Sequence, residues 1–249
     1  MWGAEWDLPT LLANCEKTGF AGVELRSGHK HGVEPKLSAA ERAEVAKRFH
    51  DSPVELVGLG SACEYHSADP AVVQKNIAET KAFIELCHDV GGTGVKVRPN
   101  GLPAEVPVPK TLEQIGRALK ECAEYGEGFG VEIRLEVHGK GTDELPHIKT
   151  IMDHADHPGV KVCWNCNGTD LTGLGLAKNF ALVADRIGTV HIHDLISDYP
   201  WPKLFELLKG AKFDGWTLLE EGAQTTDPLR VMKYYRKVWE QLAGENVGQ

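Results

Sequence analysis

No stretch of this 249-residue chain approaches eighteen consecutive apolar residues, so no membrane-spanning helix is expected. The N-terminus, Met1-Trp-Gly-Ala-Glu-Trp-Asp7, lacks a basic region leading into an apolar one; no secretory leader is expected, and a cytoplasmic setting is the default. Lysine and arginine form no cluster, and 27 of them stand against 36 Asp and Glu for a net charge of −9. That balance argues against a nucleic-acid partner, which needs concentrated positive charge. What remains is small-molecule chemistry. Cysteine is sparse: six residues, Cys15, Cys63, Cys87, Cys122, Cys163 and Cys166, are scattered through a chain too long to need disulfide staples. Reduced thiols are expected. The one C-x-x-C, in Val162-Cys-Trp-Asn-Cys-Asn-Gly168, has no second pair to complete a structural zinc site. Three steps along a strand would separate its sulfur-bearing residues by about 10 Å, whereas a disulfide wants Cα atoms roughly 4.4–6.8 Å apart.

Short β-type runs alternate with amphipathic helical runs from end to end. The strands read as Gly22 to Arg26, Val54 to Gly60, Gly94 to Arg98, Val131 to Val137, Val160 to Trp164, Thr189 to His193 and Trp216 to Glu220. Helix starts are marked by Ser38-x-x-Glu41 and Thr111-x-x-Gln114 as capping boxes and by Asp69-Pro70. Pro99 to Pro109 reads as a long loop. No composition shift divides the chain, so residues 1–249 are expected to form a single domain. Alternating βα units imply a parallel sheet with helices outside it. No G-x-G-x-x-G turn follows the first strand, and the units repeat evenly; both points favour an α/β (β/α)8 TIM barrel over a doubly wound sheet. Seven strands accompany eight helices, so most of the first barrel strand is missing, and Met1 to Trp6 is read as its tail.

In such a barrel, chemistry sits at the C-terminal ends of the strands. Those ends carry Glu24 and Arg26, Glu64 and His66, Lys96 and Arg98, Glu136 and His138, Asn165 and Asn167, His191 and His193, and Glu220. Period-2 alternation puts Val131, Ile133, Leu135 and Val137 on one face of their strand and Glu132, Arg134, Glu136 and His138 on the other. Charges lining a barrel interior must be paired with one another or bind a cation, because an unpaired one would cost several kcal/mol. Internal ion pairing is the alternative reading for Glu24, Arg26 and Arg134 taken singly, and for Lys96 it stands level with a functional role. The set as a whole suits a divalent ion such as Mn, Mg, Co or Zn, held by carboxylates, imidazole and another oxygen donor.

Five segments, "GFAGVELR", "GVEIRLEVHG", "VKVCWNCN", "TVHIHD" and "GWTLLEEG", together resemble the xylose isomerase-like TIM barrel superfamily, the sugar phosphate isomerase/epimerase group, over nearly the whole chain. The resemblance implies a barrel that begins with a strand ahead of the opening helix. It also implies one divalent metal held by Glu136, Asn165, His191 and Glu220. Asn165 stands where the family has Asp; its amide oxygen can ligate a hard cation but brings no charge, so weaker affinity is expected. Gly168 replaces a histidine often found three residues after that Asp.

The chemistry so implied is proton abstraction next to a carbonyl through an enediolate, with Glu136 and Glu220 as acid/base residues. His66, Arg98, His138 and His193 would meet hydroxyls or a phosphate of a small carbohydrate substrate, with Trp164, Tyr199 and Trp201 as an apolar wall. A keto-sugar or inosose dehydratase or lyase on the same scaffold is the alternative enzyme. A non-catalytic sugar-binding barrel is the alternative of another class. A homo-oligomer is left open.

Overall fold

A computed structural model describes residues 2–222 and 225–244. Seven strands form one all-parallel sheet in sequence order: β1 (Gly22–Arg26), β2 (Glu55–Glu64), β3 (Gly94–Arg98), β4 (Glu132–Glu136), β5 (Val160–Trp164), β6 (Ile187–Ile192) and β7 (Trp216–Leu219). Among the described residues eight α-helices pack around it: α1 (Leu8–Thr18), α2 (Ala39–His50), α3 (Pro70–Asp89), α4 (Val108–Glu127), α5 (Leu145–Ala155), α6 (Leu176–Ala181), α7 (Trp201–Gly210) and α8 (Pro228–Ala243). The sheet curls into a nearly closed barrel. At the seam β1 and β7 have no ladder between them, yet they stand side by side: a Cβ added to Gly22 would lie 2.6 Å from the Trp216 ring. Among the described residues no helix is long and apolar enough to cross a membrane.

The expected strand tail at the N-terminus is corrected. Trp2–Glu5 form a 3-10 turn, and Ala4 O accepts from Lys30 N at 2.9 Å, which ties the segment to the loop after β1. The capping box at Ser38 forms, with Ser38 N donating to Glu41 Oε2 at 2.8 Å and Glu41 N to Ser38 Oγ at 3.4 Å. Asp69 likewise accepts from Ala71 N at 2.8 Å. The box expected at Thr111 does not form, because α4 begins earlier, at Val108, with a proline in its first turn. Thr111 is buried inside that helix, and Gln114 Nε2 donates instead to Tyr65 O and Ser67 O at 2.7 and 2.9 Å.

Two kinds of interior result from the alternation along the strands. Ile133 and Leu135 are fully buried on the helix-facing side of β4, while Arg134 and Glu136 are buried on the other face. Long charged side chains fit inside because β2 contributes no side chain at Gly58 or Gly60. A Cβ at Gly58 would lie 3.0 Å from Arg134 Nη1, and one at Gly60 would lie 3.1 Å from Glu24 Oε1. Arg134 is consumed structurally: its guanidinium donates to Val57 O at 2.9 Å and Thr93 Oγ1 at 3.0 Å.

Candidate active site and metal centre

Five strands bring ionisable groups together inside the barrel: Glu24 from β1, Lys96 from β3, Glu136 from β4, His191 from β6 and, just past β7, Glu220. The residue after β5, Asn165, joins them. Glu136, Asn165 and His191 are each at most 4% exposed. Glu136 is held from two sides, by Lys96 Nζ at 2.5 Å from Oε2 and by Asn165 Nδ2 at 3.2 Å from Oε1. His191 sits between carboxylates. Its Nε2 lies 3.3 Å from Glu24 Oε1, and its Nδ1 lies 3.6 Å from Glu136 Oε1 and 3.3 Å from Glu220 Oε2. Glu220 turns its other oxygen toward Arg26 Nη1 at 3.4 Å.

Burial alone would raise the Glu136 carboxyl, but the His191 imidazole and the Lys96 ammonium hold it well below the usual carboxylate range. His191 does the same for Glu220, holding it at about 2 against its partial burial. Burial opposes a charge on His191, yet Cys163 and the two carboxylates push it well above its ordinary value. The anions are thus kept ionised.

Ligand-type atoms of Glu136, His191 and Glu220 all lie within 4.8 Å of one another. His191 Nδ1 is fully enclosed and makes no hydrogen bond, and neither does Glu24 Oε2. An enclosed nitrogen aimed at two carboxylates is a donor set that fits a divalent cation. The pairing of Nε2 with Glu24 suits that role, since a carboxylate on the far ring nitrogen leaves Nδ1 free to ligate. A cavity of about 160 Å³, lined in part by Glu24, Arg26, Lys96, His191 and Glu220, opens beside these groups at the β1–β7 seam.

The other expected site residues divide. At the ends of β2 and β3, His66 Nδ1 and Arg98 Nε are enclosed without partners, so both have hydrogen-bonding capacity to spare. His138 Nδ1 meets Asn100 Oδ1 at 2.8 Å, and Asn100 in turn donates to Glu64. Asn100 has φ 65° and lies in the segment read as a proline-rich loop, so nothing in its spacing marked it. His193 spans two strand ends, with Nδ1 3.0 Å from Glu220 O and Nε2 3.1 Å from Asn165 Oδ1. Trp164 lies elsewhere than expected. It is fully buried, packs on Phe180 at a centroid distance of 5.5 Å and donates from Nε1 to Tyr199 Oη at 3.3 Å. A sugar ring cannot reach it without displacing both neighbours. Trp201 is similarly taken up, buried and donating to Asp194 O at 2.9 Å. All six cysteines are free and buried, Cys163 and Cys166 included.

Behind Trp164 lies a group that sequence reading missed. Asp170 is fully buried, accepts from Tyr199 Oη at 2.8 Å and leaves Oδ1 without a partner. Burial pushes its carboxyl from 3.8 up to about 7, only partly opposed by the Tyr199 hydroxyl. Between those two values the folded chain holds a proton that the unfolded chain has released, so this residue's contribution is fully present below pH 3.8 and is lost as pH rises through about 7. Asp170→Asn is expected to flatten that dependence and to stabilise the protein by about 4 kcal/mol at pH 8 relative to pH 4. Urea denaturation at the two pH values checks it; an unchanged pH slope would show that Asp170 titrates normally.

The fold and the buried cluster define a β/α barrel with a carboxylate–imidazole centre at the C-terminal ends of its strands. Residues 12–238 match the family model described as xylose isomerase-like TIM barrel, and the chain belongs to that family. Among curated relatives, an L-ribulose 3-epimerase of Methylomonas sp. (strain DH-1) is 21% identical over 267 residues, covering 98% of this chain and 92% of the relative. Among solved structures, the IOLI protein with a binding zinc atom superposes with a TM-score of 0.81 at 16% identity, covering 98% and 95% of the two chains. D-psicose 3-epimerase in the presence of D-fructose superposes at 0.82 with 14% identity, covering 98% and 96%.

Proposed function

We propose that this chain is a metal-dependent sugar or sugar phosphate isomerase/epimerase that moves a proton on a carbon next to a carbonyl. The observation that carries the reading is the convergence of the enclosed Nδ1 of His191 with carboxylate oxygens of Glu136 and Glu220, all within 4.8 Å of one another. Relatives named as sugar epimerases, and a similar barrel described with zinc, support it. Glu136, Asn165, His191 and Glu220 would hold an ion of the Mn, Mg, Co or Zn class. Such an ion, when bound, polarises a substrate carbonyl and its neighbouring hydroxyl.

The chain's own groups supply the rest. Glu220 is the more reachable carboxylate, its side chain 23% exposed against 3% for Glu136. Depressed by His191, it is ionised and ready to accept a proton at neutral pH. Glu136, on the far side of the cluster, is the complementary group; held ionised, it would take a proton from solvent and return it to the carbon, while Glu220 would release the one it removed to solvent. Lys96 fixes its Oε2, and its Oε1 faces His191 Nδ1. The free nitrogens of His66 and Arg98, with His138, would receive hydroxyls or a phosphate and turn the reacting carbon toward the carboxylates.

The test is incubation of ketoses and ketose phosphates in deuterated water with Mn²⁺, followed by mass spectrometry. The expected result is one incorporated deuteron in a product otherwise equal in mass to the substrate. Loss of water from the product would assign a dehydratase on the same scaffold. A protein that takes up neither metal nor label would leave a non-catalytic sugar-binding barrel.

A further inference from the structure

We infer that the sugar carries a terminal phosphate, and that Arg98 receives it because Asn100 keeps Glu64 from pairing with that arginine. This rests on the isomerase/epimerase reading above and names the class of substrate that reading leaves open.

The alternation that points Lys96 into the barrel points Arg98 the same way, two residues and about 7 Å further toward the mouth. Arg26, Lys96 and Arg134 each meet a carboxylate, at 3.4, 2.5 and 3.4 Å. Arg98 meets none. Its Nε is enclosed without a hydrogen bond, and no ion pair reaches its guanidinium among the described residues. An enclosed donor on a cation is costly to leave unmade, and a charged acceptor satisfies it far better than a neutral hydroxyl does.

The natural partner stands beside it. Glu64 is the register neighbour of Arg98 across the β2–β3 ladder, where opposite charges on adjacent strands ordinarily pair. Glu64 instead accepts from Asn100 Nδ2. Asn100 is held in that pose: its φ is 65°, its Oδ1 meets His138 Nδ1 at 2.8 Å, and a Cβ at Gly139 would lie 2.5 Å from its Cα. The acid is engaged and the guanidinium is left free, which makes Asn100 a positioning residue. A second group comes from the neighbouring strand. His66 lies two residues beyond Glu64, its Nδ1 is enclosed without a partner, and a Cβ at Gly101 would lie 3.4 Å from its ring. The turn after Arg98 therefore packs on that imidazole. A carboxylate offers two oxygens in one plane, whereas a phosphate monoester offers three in different directions, which suits donors that converge from separate strands.

The test is ³¹P NMR titration of inorganic phosphate into chelator-treated protein, so that no metal ion competes for the anion, with acetate as the carboxylate control. Wild type is expected to bind phosphate in preference to acetate. Arg98→Leu is expected to weaken phosphate binding about tenfold or more, and Arg98→Lys, which keeps the charge and loses the fork, to fall between. Asn100→Gly, which tolerates the positive φ, is expected to weaken it as Arg98→Leu does, because Glu64 is released to Arg98. Adding Glu64→Gln to Asn100→Gly is expected to restore binding, a rescue that a loosened loop would not show. In deuterated water with Mn²⁺, label should enter ketose phosphates with a higher kcat/KM than the matching ketoses, and Arg98→Leu should erase that preference through KM. Equal phosphate binding by wild type and Arg98→Leu, acetate bound as tightly as phosphate, or no rescue by Glu64→Gln would overturn the inference. Equal labelling of ketoses and their phosphates would overturn it too, while leaving the isomerase/epimerase reading standing. Phosphate bound as expected, with no label entering any ketose or ketose phosphate, would overturn that reading and the sugar substrate with it.

Discussion

Glu220→Gln is expected to cut deuterium incorporation into substrate by about 10²–10⁴-fold, the usual contribution of a positioned acid or base. Its fold should hold. Glu220 is part exposed, and its hydrogen-bonding role toward Arg26 can pass to the amide oxygen. The variant removes the charge that accepts the proton and weakens the hold on a cation, so exchange should collapse while melting temperature of the metal-free protein stays near wild type. Glu136→Gln should lose exchange to a similar extent but with a second signature, because the neutral amide leaves the Lys96 ammonium, 4% exposed, without its carboxylate. That variant is expected to unfold earlier as well. Exchange retained by both variants would remove the two carboxylates from the mechanism.

Lys96→Met is expected to destabilise the protein by about 3–5 kcal/mol, the range seen when one member of a buried ion pair is removed. Lys96 and Glu136 are 4% and 3% exposed at a separation of 2.5 Å, and Glu24 also acts on the same ammonium. Without it, Glu24 and Glu136 would share an enclosed space with His191 as their nearest balancing charge. The loss comes from stranding the partner, so Lys96→Met with Glu136→Leu should recover much of it, as apolar replacement of a whole pair usually does. Urea denaturation of the single and double variants decides it. Equal stability of Lys96→Met and wild type would mean that water reaches Glu136 freely.

Much of the frame was legible because its signals are local. Strands β1, β3 and β5 begin and end where apolar alternation and glycine placed them, and the Ser38 box forms from residues three apart. Strand β2 runs on to Glu64, past the expected stop at Gly60, because Gly-Ser reads as a breaker while Ser61 Oγ in fact donates to Lys96 O at 2.8 Å and keeps the chain on the sheet. The expected ligand set also converges, since strand ends in a barrel necessarily meet. What sequence could not show is partnership across the barrel. That Glu24 would find His191, that Asn100 would join His138 to Glu64, and that Asp170 would lie under Tyr199 all depend on side chains far apart in the chain. Trp164 misled for a related reason: an aromatic at a strand end looks the same whether it turns toward the mouth or toward the helices.

The seam between β1 and β7 has a consequence for motion. Each of these strands has a ladder on one side only, so its outward amides lack the cooperative protection that β3, β4 and β5 share, and amide hydrogen exchange should be fastest there. The centre straddles that divide: Glu24 and Glu220 ride on the two loosely held strands, and Glu136 stands on the firmly held middle of the sheet. Breathing of the seam would therefore move two anions relative to the third, and any ligand that ties Glu220 to Glu136 and His191 would steady the β7 side of the seam.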